Sequence, residues 1–305
     1  MAARLSSVDA HHHVWDLGVR PQPWLATDPG LAPLRRNFRL TELAPQAAAA
    51  GVSASAVVQT VTEPGETPEL LGLALAGALI GAVVGWTDLS APGVADALAE
   101  LRALPGGQFL AGIRHPLLTE PDPGWINRPE VQRGLRSVAA AGLVFDLVLR
   151  PSQLPAAVRA VASLPDVTFV LDHLGNVDVG RAVDNAWAAS FAELAALPNT
   201  TCKLSGILSV LAPESEQRRA ACDSRPPSIS HLRPYLHLAL DHFGSDRLMF
   251  GSDWPVCTLG ASYDAVVATA VALTSTLSKP EQAAIMGGTA RRLYRITASR
   301  VGDQA

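Results

Sequence analysis

Along the chain, short runs of apolar and β-branched residues recur, and most are followed by a stretch whose apolar positions fall at helical spacing. The strand-like runs are VDAHHHV (8–14), ASAVVQT (54–60), GAVVGWTD (81–88), FLAGIRH (109–115), LVFDLVL (143–149), VTFVLDH (167–173), NTTCKLS (199–205) and RLMFGSD (247–253). Between them, TELAPQAAAAG, VADALAELRALPG, PEVQRGLRSVAAAG, PSQLPAAVRAVASLP and NAWAASFAELAALPN carry helical periodicity, and most end on Gly, Pro or Asn. The apolar stretch from Leu70 to Trp86 approaches the length of a membrane span. Gly72, Gly77, Gly81 and Gly85 interrupt it, and it reads as a buried helix followed by a buried strand.

Strands alternating with helices predict a parallel sheet, and eight strands are the number that closes a (β/α)8 barrel. An open doubly wound sheet is the alternative, but it carries a glycine-rich phosphate loop after its first strand. Here HHHVWDLGVRPQPW follows, which cannot cradle a pyrophosphate. The expectation is one TIM-like barrel domain spanning 1–305, with long loops at its C-terminal face.

Composition narrows the function. Hydrophobic residues make up 48% of the 305, charged residues only 17%, and the net charge is −4 without a basic run. That excludes the electrostatic footprint of a nucleic-acid or anionic-membrane binder. Cys202, Cys222 and Cys257 are scattered and odd in number, so neither a disulfide framework nor a cysteine zinc site is expected. A reducing cytoplasm fits, and MAARLSSVDA has no apolar core of a secretory signal.

Polar residues gather at the C-terminal ends of the predicted strands: His11, His13, Gln59, Asp88, Arg114, His115, Asp146, Asp172, His173, Lys203 and Asp253. In a (β/α)8 barrel these ends meet at one mouth, where the chemistry of the fold sits. Side chains alternate along a strand, so His11 and His13 share a face and His12 takes the other. An inward pair would bring two imidazoles to one ion. His173 offers a third nitrogen and Asp253 a carboxylate. The set suits a zinc-like ion with an open water position, and it equally suits a metal-free site in which Asp253 is a general base. Ordinary polar strand ends, and a capping role for Asp253, are the plainer readings.

The motifs VDAHHHVWD, GIRHPL, LDHLG, CKLSG and FGSDWPVC, in this order from Val8 to the terminal GGTARRLYRI, resemble the amidohydrolase superfamily. More narrowly, they look like its L-fuconolactonase-like and 2-pyrone-4,6-dicarboxylate lactonase-like branch. The resemblance implies a distorted barrel that hydrolyses a cyclic ester, with His11, His13, His173 and Asp253 as the divalent-metal set, zinc foremost. It also includes members that work without a metal. Two departures stand out. Such relatives commonly continue HLGKP where this chain has HLGNVD, so Asn176 replaces a lysine. A long polar segment, 208–231, follows KLSG and is expected to shape substrate choice.

The remaining assignments concern the mouth. Arg114 and His115 are adjacent, so only one points fully inward; both are expected to line the site, polarising the lactone carbonyl or binding a carboxylate. Lys203 either faces the substrate or is neutralised by a partner such as Asp146. Trp24, Trp86 and Trp254 follow strand ends and offer faces to a sugar or lactone ring. The resulting expectation is a cytoplasmic lactonase opening a sugar-derived aldonolactone, with Asp253 as general base and Arg114 and His115 assisting. Arg35, Arg36 and Arg128 in mouth loops allow an anionic dicarboxylate or sulfonated lactone as the alternative. A metal-dependent decarboxylase of the same superfamily and a non-catalytic binding barrel are further rivals. A small-molecule lactone and, in a homo-oligomer, further copies of the chain complete the expected partners.

Overall fold

A computed structural model describes residues 7–179, 182–208 and 228–297. Eight strands form one parallel sheet in sequence order: β1 (Ser7–His12), β2 (Val52–Val58), β3 (Ile80–Gly85), β4 (Leu110–Pro116), β5 (Val144–Val148), β6 (Phe169–Leu171), β7 (Thr200–Leu204) and β8 (Leu248–Phe250). Each lies within a predicted strand or overlaps it closely. The Leu70–Trp86 stretch divides into a helix Glu66–Ala76 and β3. Among the described residues no helix is long and apolar enough to cross a membrane. Two substantial helices that the periodicity did not single out, Ile229–Phe243 and Tyr263–Thr274, cover the last strands. Most of the 208–231 segment, residues 209–227, lies outside the described residues, so its expected role has no structural counterpart here.

The strands bury both faces, as a barrel requires. Phe145, Leu147, Phe169 and Leu171 point toward the helices and are buried, each worth about 2 kcal/mol of apolar transfer. The inner face is lined by small residues, among them Ala10, Ala54, Ala56 and Ala82, and this leaves room for Tyr294 and Ile296. Tyr294 ends a C-terminal helix, Thr289–Tyr294.

The barrel closes across β1 and β8 through few bonds. Asp253 N–H donates to the His11 carbonyl (2.8 Å) and His13 N–H to that of Trp254 (2.6 Å). The register between β1 and β2 also slips: Asp9 faces Ser55 but His12 faces Val57, so β1 holds one extra residue. This β-bulge re-aims every side chain after it.

Candidate active site

Val8 and Ala10 line the barrel interior, and strict alternation from them would turn His12 inward. The bulge reverses this. His12 leaves the interior and its Nε2 meets the hydroxyl of Ser55 (2.9 Å). His11 and His13 turn inward with their Nε2 atoms 3.2 Å apart. His13 Nδ1 lies 2.7 Å from the Val58 carbonyl, an acceptor only, so Nδ1 carries the proton and Nε2 presents a lone pair. Both Nε2 atoms face Oδ1 of Asp253, at 3.8 Å from His11 and 3.6 Å from His13.

Asp253 adopts a left-handed backbone (φ 59°), a conformation Asp tolerates better than most residues. Its neighbour Ser252 is clamped by Asp9, whose carboxylate accepts from the Ser252 N–H (2.8 Å) and hydroxyl (2.6 Å) and from Tyr263 (3.2 Å). Burial pushes the Asp9 carboxyl up to about 6 against these hydrogen bonds.

After β6, residues 173–176 all have positive φ and make one left-handed turn. Asn176 suits that conformation, and its side-chain amide donates to the Leu149 carbonyl (2.8 Å), so it fastens the turn where the relatives' lysine is expected. His173 Nδ1 meets Ser205 Oγ at 2.8 Å, and its ring lies 4.4 Å from that of His11. The predicted quartet is therefore two overlapping trios that share His11. One is His11, His13 and Asp253; the other is His11, Asp172 and His173, with ligating atoms of each within 4.8 Å.

Below these groups runs a buried ionic layer. Lys203 Nζ lies 2.6 Å from Asp146 and 2.9 Å from Asp172, and it is fully buried. Tyr294 donates its hydroxyl to Asp146 (2.9 Å). Arg114 donates to Asp172 (3.2 Å) and to the Gln59 carbonyl. Burial alone would raise the Asp172 carboxyl, but Lys203 and His11 hold it well below the usual carboxylate range. Burial raises the Asp146 carboxyl in spite of Lys203. It also lowers His11 and His173, so both imidazoles are neutral, the form that ligates.

Three expectations need correction. Lys203 does not face the mouth: two carboxylates and the barrel wall enclose its ammonium. Trp254 is 2% exposed and packs edge-on against Phe38 (5.5 Å), so it is core rather than a substrate face. His115 turns away from the interior, as its neighbour Arg114 turns in. Its Nδ1 accepts from Trp86 Nε1 (3.1 Å), its Nε2 donates to Glu120 (2.7 Å), and its ring stacks on Trp125 at 4.1 Å. Both ring nitrogens thus have protein partners. Trp24 and Trp86 remain half-buried at the mouth. The mouth arginines are tied down as well: Arg36 to Glu42 (2.8 Å), Arg128 to Asp122 (2.9 Å), and Arg35 to the Leu25 carbonyl (3.0 Å).

The sequence reading gave no role to Asp9, Ser252, Ser205 or Tyr294. Asp9 left one signal, a charged residue in the middle of an apolar strand, where a partner is obligatory. Tyr294 left none.

The donor set fits a divalent cation. Two imidazole nitrogens and a carboxylate oxygen converge, and Asp146, Asp172 and Asp253 outnumber Lys203 and Arg114. That excess of carboxylates makes the buried centre attractive to a cation.

A parallel eight-stranded barrel with such a cluster at its C-terminal mouth defines an enzyme that activates water. The amidohydrolase family model matches residues 8–296, and the chain belongs to that family. It is 39% identical to an L-fucono-1,5-lactonase of Burkholderia multivorans over 95% of this chain and 96% of the relative. An L-fucono-1,5-lactonase of Burkholderia ambifaria is 32% identical over 97% and 98%. A solved amidohydrolase from Burkholderia multivorans with bound zinc superposes with a TM-score of 0.85 at 37% identity, covering 95% of this chain and 99% of that one.

Proposed function

We propose that the protein hydrolyses a sugar-derived lactone in the cytoplasm, by attack of a water that Asp253 deprotonates. The observation that carries this reading is the convergence of His11 Nε2 and His13 Nε2 on Asp253 Oδ1 within 3.8 Å. Two full-length lactonase relatives support the substrate class, and neither supports a decarboxylase.

His11, His13 and Asp253, with His173 alongside, would hold a zinc-class ion, which when bound lowers the pKa of water and polarises a carbonyl. The chain's own groups do the rest. Asp253 takes a proton from the attacking water as its oxygen bonds to the lactone carbon. The ring C–O bond then breaks, and the same carboxyl returns the proton to the departing alkoxide, giving the open hydroxy acid. Arg114, 3.4 Å from His11 Nε2, contributes positive potential where charge grows on the carbonyl oxygen. Trp24 and Trp86 offer ring faces to a sugar. Because Arg35, Arg36 and Arg128 are occupied, a neutral aldonolactone is favoured over an anionic one.

The test is Asp253→Asn assayed against neutral aldonolactones and dicarboxylate lactones. Loss of about 10³-fold or more in kcat with an unchanged circular dichroism spectrum is expected. Near-wild-type hydrolysis by the variant overturns the mechanism, and a preference for dicarboxylates overturns the substrate class.

A further inference from the structure

His11 is flanked at Nδ1 by one donor and one acceptor: Lys203 Nζ at 3.2 Å and Asp172 Oδ1 at 3.4 Å. That pairing matters because the other side of the ring is constrained too. His13 must present a lone pair at Nε2, since its Nδ1 proton goes to the Val58 carbonyl. His11 Nε2 stands 3.2 Å from that lone pair. If His11 also carried a lone pair at Nε2, two lone pairs would face each other in a buried site, and the Lys203 ammonium would meet an N–H. If His11 instead carries its proton at Nε2, it donates to His13 and accepts from Lys203 at Nδ1. This arrangement leaves two contacts unsatisfied: Asp172 Oδ1 faces the Nδ1 lone pair at 3.4 Å, and Arg114 Nη1 faces the Nε2 proton at 3.4 Å, although that nitrogen already has the Asp172 carboxylate at 3.2 Å.

A cation held through His11 Nε2 demands the opposite tautomer. The Nε2 proton must leave and one must arrive at Nδ1, so that the ring stays neutral and no net proton is released. Asp172 Oδ1 is the acceptor in place for it. Among the described residues this oxygen is a buried polar atom with no hydrogen bond, although it stands in ion-pair range of Lys203. Lys203 loses nothing essential when the exchange occurs, because it retains Asp146 at 2.6 Å and Asp172 at 2.9 Å.

We propose that Lys203 and Asp172 are positioning residues forming a two-state support under His11. Lys203 stabilises the Nε2–H tautomer of the metal-free site, and Asp172 accepts a hydrogen bond from Nδ1–H when a cation takes Nε2. The proposal rests on the cation reading above. It assigns Lys203 a role in resisting loading.

Nitrogen-15 spectra of the imidazole rings in full-length protein, recorded metal-free and during a zinc titration, test this without any turnover assay. Expected are an Nε2–H tautomer for His11 before zinc and an Nδ1–H tautomer after it, while His13 is Nδ1–H throughout. An Nδ1–H signal for His11 in the metal-free protein overturns the exchange and leaves the cation reading intact. Zinc that shifts no histidine signal overturns both. The charge-matched double variant Lys203→Met with Asp146→Asn removes the donor without stranding a carboxylate. It is expected to show Nδ1–H for His11 before zinc and to bind zinc about tenfold more tightly, the worth of one hydrogen bond to a charged group. Unchanged zinc affinity in the folded variant overturns the role of Lys203, and the wild-type spectra decide the matter alone if the variant does not fold.

Discussion

The Asp9 carboxylate holds Ser252 by its backbone N–H (2.8 Å) and its hydroxyl (2.6 Å), and so ties the first strand to the residue preceding Asp253. The barrel has no continuous ladder between β1 and β8, and this clamp stands in for one. It also fixes the left-handed backbone of Asp253, which an unsupported loop would relax.

The clamp carries a pH signature. The Asp9 carboxyl is raised to about 6 in the folded chain, with burial as the main cause. A carboxyl raised on folding contributes stability below its unfolded pKa and loses it as pH climbs through the folded value. The window therefore runs from about pH 4 to above 6 and is worth on the order of 3 kcal/mol. In Asp9→Asn the amide oxygen can accept the N–H groups of Ser252 and of His11 (3.2 Å), and the amide nitrogen faces hydroxyls free to rotate. Urea unfolding at pH 4 and pH 8 is expected to show the variant gaining on wild type by about that amount at the higher pH. Equal stability differences at both pH values would count against a raised Asp9.

His12 works in the opposite direction. Burial lowers its imidazole to about 3, so the folded state resists a proton that the unfolded chain takes up below pH 6.5. Its contribution is present above pH 6.5 and is lost as pH falls toward 3, on the order of 5 kcal/mol at the limit. His12→Gln removes that share of the acid sensitivity. Because His12 faces Ser55 rather than the site, kcat at neutral pH is expected to stay within about threefold of wild type, the room that surface or core changes leave when no catalytic contact is lost. A variant as acid-sensitive as wild type would show the proton going elsewhere.

The contrast between His12 and its neighbours shows how far the sequence could be read. Eight strands follow from the runs of apolar and β-branched residues, and the end of the barrel that bears the chemistry follows from the polar residues at their C-terminal ends. His11 and His13 share a face by alternation along a strand. Which face is a different matter: alternation from Val8 and Ala10 points His12 inward, and only the extra residue in β1 turns it out. No residue in DAHHH announces that bulge. Lys203 was legible as a buried charge needing a partner, yet Tyr294, which reaches Asp146 from 148 positions away in sequence, was not. Long-range contacts through a barrel leave no local pattern. His115 misled for a related reason, since its partner Trp86 follows another strand and Glu120 belongs to the loop beyond its own.

The buried layer predicts strong non-additivity. Lys203→Met alone leaves Asp146 and Asp172 facing each other without their shared cation, and about 3–5 kcal/mol of stability is expected to go. Asp146→Asn alone removes one of those charges and costs less. Combining the two is expected to recover at least about 1 kcal/mol relative to the sum of the single changes, because Asp172 keeps Arg114. A double-mutant cycle in urea measures the coupling. Strict additivity would mean that Lys203 and Asp146 do not form the pair seen here.

His115 separates a catalytic from a positioning reading of the mouth. With Nδ1 accepting from Trp86 and Nε2 donating to Glu120, its ring holds the indole of Trp86 in place. His115→Phe keeps the stack on Trp125 and drops both hydrogen bonds. If the ring acts only through Trp86, a loosened indole binds substrate and transition state equally less well. KM then rises while kcat stays within about tenfold. A general acid or base would behave differently: its removal lowers kcat by about 10²–10⁴ with little change in KM, and flattens one limb of the pH–rate profile. Burial lowers the His115 imidazole in spite of Glu120, so the limb at stake lies on the acid side. Steady-state kinetics across pH 5–9 for wild type and variant, on one neutral aldonolactone, distinguish the two outcomes. The engaged ring nitrogens predict a KM effect with both limbs retained, and loss of the acid limb would return His115 to the chemistry.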